Sequence, residues 1–186
     1  TTGGEIEETE DGGAEVRLPG GIRVSVDASG DVPATFPMPP PWAGARPESA
    51  TTTRMEPEDE PMISLALSYP LERPADDVAK VYSRWMKARL AMLEKRLGKG
   101  KSGWRYSNKA KSIVPGLRFT KVALEEVEDA GPAGLEKFEV LITEGFGIDS
   151  LSVTHTIVGA RQFPPSVVPE DGGDEAVESK KALSSD

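Results

Sequence analysis

An α+β fold, in which one long amphipathic helix packs an antiparallel β meander, is what the sequence predicts, and three observations carry it. Residues 75–97 place apolar side chains at helical spacing between Pro74 and Gly98. Five segments between residues 63 and 158 alternate apolar and polar residues as half-buried strands do. Those segments follow one another through short turns, with the helix inserted after the first, which favours antiparallel pairing over a parallel sheet.

The 186 residues and net charge of −9 divide unevenly along the chain. Residues 1–13 and 164–186 are rich in Gly, Pro, Ser and acid, with too few large apolar side chains to offset the entropy of ordering. We expect both to be disordered acidic tails. Between them, residues 14–60 read as a hairpin and a proline-rich extended segment, and residues 61–163 as the α+β domain. That domain holds 16 Lys or Arg against 12 Asp or Glu, so the acidity belongs to the tails. The absence of cysteine excludes disulfides, a cysteine nucleophile and thiolate zinc. No apolar run is long enough for a transmembrane helix. A first residue of Thr rather than Met leads us to expect that a preceding segment has been removed.

In chain order, residues 14–18 and 22–27 alternate around Pro19-Gly20-Gly21, a turn able to supply the positive φ that a tight hairpin needs. Residues 31–47 contain six prolines, which forbid helix and central strand. They form either a semi-rigid spacer anchored along the domain by Phe36, Met38 and Trp42, or a ligand offering those three side chains to a protein partner. Residues 51–60 are polar and read as loop. Residues 63–69 form the first strand of the domain, ended by Pro70. In the helix, Pro74 suits the first turn and Asp76 and Asp77 suit the positive end of the dipole. Val78, Val81, Tyr82, Trp85, Met92 and Leu93 fall within one sector and should cover a sheet. The remaining strands are residues 103–107, 116–124, 137–143 and 149–158.

The proline-rich approach at residues 31–43, the helix start at residues 74–82 and the pair Gly103-Trp104 together resemble uncharacterised bacterial lipoproteins and secreted proteins. The resemblance covers about two thirds of the chain. It implies a cell-envelope or secreted location and a small domain on a flexible leader, and it brings no activity. Residues 87–101 depart from it by lengthening the helix and adding positive charge.

Charge is the most unusual local feature. Between Arg84 and Lys121 stand twelve basic residues and one acid, Glu94. Base at a helix C-terminus is favourable to the dipole, but the run continues into loops and strands. Arg89, Lys95, Arg96, Lys99, Lys101, Arg105, Lys109 and Lys111 are the candidate anion-binding residues, with Trp104 and Tyr106 interleaved as in surfaces that stack on bases or sit at membranes. Arg89 and Arg96 lie inside the helix's apolar sector, where they either extend their heads to water or meet a carboxylate such as Glu139 or Glu144. His155, the only histidine, alternates with Leu151, Val153 and Ile157 and reads as a buried ring with one hydrogen bond. No second histidine supports a metal site, no nucleophile elbow accompanies His155, and the glycines around Gly98 lack phosphate-loop spacing.

The expectation is therefore a non-enzymatic envelope or secreted interaction module, without a cofactor. The alternatives are a module binding an anionic polymer or surface, nucleic acid included, and a subunit that docks on a larger assembly through the hairpin and the proline-rich segment. The sequence leaves the oligomeric state open.

Overall fold

The computed structural model describes residues 5–8, 14–19, 21–27, 31–55, 62–98, 103–127 and 135–159. The predicted tail at residues 164–186 lies outside them, as do Lys99 and Lys101. The described chain forms nine strands and one helix: β1 (Glu5–Glu8), β2 (Ala14–Leu18), β3 (Ile22–Asp27), β4 (Ser49–Met55), β5 (Met62–Pro70), α1 (Ala75–Leu97), β6 (Trp104–Val114), β7 (Leu117–Glu126), β8 (Leu135–Glu144) and β9 (Ser150–Val158). The α+β class is as predicted.

All nine strands pair antiparallel in one sheet, in the order β1-β2-β3-β4-β5-β9-β8-β7-β6. This corrects the simple meander. Two meanders, β1–β5 and β6–β9, are joined where the last strand enters beside β5, with Leu65 opposite His155 and Leu67 opposite Val153. The sheet also runs without a break across the expected boundary at residues 60–61, because β4 pairs β5 over its whole length.

Three segments expected as leader, loop or break are strand. Glu5–Glu8 pairs with β2 as an edge, the backbone ladder holding an acidic segment that has little apolar surface of its own. Ser49–Met55 lies between β3 and β5, its β-branched threonines suited to a pleated surface with partners on both sides. The strand predicted at residues 103–107 continues to Val114, since β7 turns back through Pro115-Gly116 and offers its full edge.

Helix α1 has the predicted ends, and Val78, Tyr82 and Trp85 of the predicted sector pack on the core. Its N-terminus lacks a local side-chain cap. Instead the Ala75 N–H donates to Glu144 Oε1 of β8 at 3.2 Å, and Arg118 of β7 donates to Asp76 at 2.8 Å. Ala75, Val78, Ala79, Tyr82, Ser83 and Met86 are buried, whereas Met92, assigned to the covering sector, is exposed. Leu90 still packs against the core, and the helix's last turn, from Lys95 to Leu97, is exposed. Beneath it the core contains Leu67, Tyr69, Val122, Leu124, Phe138, Val140, Ile142, Leu151 and Val153.

The proline-rich segment closes the same core. Phe36 and Met38 are buried in it, Trp42 packs against it half-buried, and the Tyr82 hydroxyl donates to the Pro39 carbonyl at 3.2 Å. Burial pushes the Tyr82 phenol far above its ordinary value, with Tyr69 adding to the shift. Phe36 and Met38, offered above as candidate docking side chains, are packed inside the chain.

Candidate functional site

Where α1 lies over β8, with β9 alongside, the sheet holds the chain's only histidine in an aromatic and charged cluster. Phe138 is fully buried at its centre. The His155 ring stacks on it at 4.7 Å and 5°, Trp104 lies nearly parallel at 5.9 Å, and Trp85 meets it edge-on at 5.3 Å. The Arg89 guanidinium sits 4.6 Å from the Phe138 centroid and 3.8 Å from Glu136 Oε1. That same oxygen is 2.8 Å from His155 Nε2. An ionised carboxylate only accepts, so Nε2 carries the proton and donates. The Glu136 backbone N–H in turn donates to Glu126 Oε2 at 3.2 Å.

Strand periodicity explains the assembly. Glu136, Phe138, Val140 and Ile142 alternate on one face of β8, and the register sets Phe138 directly opposite His155. His155 is thus a buried, hydrogen-bonded ring, as the sequence suggests. Arg89 meets a carboxylate as one expectation had it, but the partner is Glu136. Glu139 faces the other side of the sheet between Lys121 and Lys137, each at 2.6 Å, and Glu144 is drawn to the helix start. Burial raises the Glu139 carboxyl, but the two lysine hydrogen bonds and charges more than offset this and hold it below its usual value.

An imidazole bonded to a carboxylate is acid–base equipment in principle. Here the ring is 4% exposed, one face is covered by Phe138, and Nε2 is committed to Glu136. Among the described residues no group of three or more His, Asp or Glu is placed to hold a metal ion. None of their helices is long and apolar enough to cross a membrane.

The remaining candidate anion-binding residues do not form one surface. Lys95 and Arg96 are exposed in the last turns of α1, on the helix side of the sheet. Lys87 leans over Tyr106, its Nζ 5.2 Å from the ring centroid. Arg105, Lys109 and Lys111 alternate onto the opposite face of β6, where Lys109 stands opposite Lys121 and Arg105 lies 3.8 Å from Glu125. The edge strand divides the basic run in two, which the linear charge count could not register.

A different feature escaped the sequence reading. In β5–β9 the helix side is apolar, and the reverse side carries Ser64, Ala66, Ser68, Ser152, Thr154 and Thr156 in the centre. In β2 and β3 the sense inverts. Arg17, Arg23 and Ser25 share the helix side, while Val16, Leu18, Ile22, Val24 and Val26 point to the reverse side with Met55 of β4 and Met62 of β5. No described element lies over that side, and Leu18 and Val26 are 42% and 37% exposed. The alternation was visible in the sequence; its sense relative to the helix depends on the registers through β4. On the helix side, Arg23 stands directly opposite Arg54, a like-charge pair with no acid joined to either among the described residues.

No protein family, curated protein or solved structure matches the chain.

Proposed function

We propose that this chain is a non-enzymatic interaction module whose docking element is the β2–β3 hairpin, through the sheet face turned away from α1. The inverted apolar side is the observation that carries it. A body with a closed core has no folding need for Val16, Leu18, Ile22, Val24 and Val26 on the uncovered side. Exposed contiguous apolar surface of this kind marks contact sites. A photo-cross-linking side chain placed at Leu18 should give a discrete protein adduct in cells, while the same group at Lys109 should not. Absence of an adduct at Leu18 would end this reading. The envelope or secreted setting rests on the resemblance of residues 31–43, 74–82 and 103–104. Protection of the chain from external protease in intact cells would remove it.

Arg23 opposite Arg54 and Lys109 opposite Lys121 favour a second reading, binding of an anionic polymer or surface. Such binding weakens steeply as salt rises because counterions are released. Failure of the chain to bind heparin at low ionic strength would exclude it.

A further inference from the structure

Two neighbouring turns at one end of the sheet leave large apolar side chains in water. Ile113 and Val114 end β6 at the β6–β7 turn, and the β8–β9 turn carries Phe146 and Ile148. These four are 62%, 44%, 69% and 56% exposed, in that order. Together they present roughly 400 Å² of apolar surface, a size at which a patch on a monomer is often functional. Close glycine contacts hold the two turns against each other. A Cβ on Gly145 would collide with the Gly116 carbonyl, and one on Gly116 would lie 3.5 Å from the Phe146 ring. Phe146 itself has φ of +54°, a left-handed conformation that a bulky side chain adopts only under strain. The fold bears that strain with the aromatic ring outside the core, the kind of backbone outlier that points to function.

The polar groups around this tip are used within the chain. Asp149 accepts from the Gly145 N–H at 3.0 Å, and the Gly145 carbonyl accepts from the Ile148 N–H at 2.9 Å. Behind them Glu144 accepts from the Ala75 N–H, and Arg118 donates to Asp76. A protein partner reads an apolar centre together with a rim of directional hydrogen bonds. A lipid surface asks only for apolar side chains that reach past the headgroups, which turn ends can supply and a groove cannot. We infer that Ile113, Val114, Phe146 and Ile148 seat this end of the sheet on a lipid bilayer surface, entering the boundary between headgroups and acyl chains while the strands stay in water. The β2–β3 turn lies at the opposite end, since Ile22 aligns through Met55 and Met62 with Val158, whereas Pro70 and Ser150 adjoin the tip. The membrane contact therefore leaves the hairpin face free, and it stands or falls separately from the docking reading above.

Cosedimentation of the full chain with phosphatidylcholine vesicles, with and without phosphatidylserine, tests this. Binding to both is expected, and it should persist at about 0.5 M salt because apolar insertion is not screened. Phe146→Gly suits the positive φ, so it should raise the thermal midpoint by about 2 °C while weakening vesicle binding about tenfold or more. A merely structural role for Phe146 would move stability and binding together. Ile113→Ser combined with Ile148→Ser leaves the backbone as it is and should weaken binding to a similar degree. Absence of binding to either vesicle overturns the inference, as does binding that both variants retain. Binding confined to phosphatidylserine vesicles at low salt would assign the contact to basic side chains and overturn it equally.

Discussion

Replacing Glu136 by Met asks whether the cluster around Phe138 is held by its one shared carboxylate. Glu136 Oε1 serves two cations or donors at once, His155 Nε2 at 2.8 Å and the Arg89 guanidinium at 3.8 Å. The His155 side chain is 5% exposed, so losing the acceptor leaves a buried N–H unsatisfied at about 2 kcal/mol. The Arg89 side chain is 32% exposed and its contact is long, so screening reduces its share to about 0.5–1 kcal/mol. The sum, about 3 kcal/mol, should lower the thermal midpoint by about 10 °C. Glu136→Gln keeps an oxygen acceptor and should cost only about 1 kcal/mol. Urea unfolding followed by tryptophan fluorescence suits the measurement, because Trp85 and Trp104 both touch Phe138. A Met variant as stable as the parent would refute the reasoning. Equal losses for Met and Gln would show that charge, rather than the acceptor, matters.

Three further outcomes follow from the geometry. Glu139 has its carboxyl lowered on folding, so its pairing with Lys121 and Lys137 contributes above the unfolded value near 4.5 and is lost as pH falls through the lower folded value. Glu139→Gln should therefore flatten the decline of stability in that acid window, by about 0.5–1 kcal/mol, in urea titrations at pH 6 and pH 3. Tyr82→Phe removes the hydroxyl that bonds Pro39 and should cost about 1 kcal/mol while speeding proteolysis within residues 39–47. At Gly145, with φ of +122°, an added Cβ would lie 1.8 Å from the Gly116 carbonyl oxygen, whereas at Gly44 it would meet nothing within 4 Å. Gly145→Ala should then lower the thermal midpoint far more than Gly44→Ala, for which the positive φ alone costs about 1 kcal/mol.

The helix was legible because its punctuation is local: Pro74 and Gly98 fix its ends and the 3.6-residue period needs no partner. The same holds for β5 and β9, whose alternation is strong. Ser49–Met55 was missed because its side chains are mostly polar, and only ladders on both sides make it a strand. The second half of β6 was missed for a related reason, since an edge strand can be exposed along its length. Glu136 was invisible as a site residue because no local signal joins it to His155 and Arg89; the β8–β9 register and the helix crossing do. The burial of Phe36 and Met38 likewise depends on a chain path over α1 that prolines permit but do not specify.

Strand β9 sits at the centre of the sheet although it is the last described strand to be synthesised. Until it arrives, β5 and β8 each expose an unpaired edge, and Leu65, Leu67, Phe138 and Val140 lack the cross-strand neighbours that complete their packing. The body therefore cannot close progressively behind the ribosome. It must hold two partly built meanders apart until the 79 residues separating β5 from β9 have looped back. Such non-local pairing makes for slow, all-or-none folding with an aggregation-prone interval, and the conversion should be timed by emergence of residues 150–158 rather than of the helix.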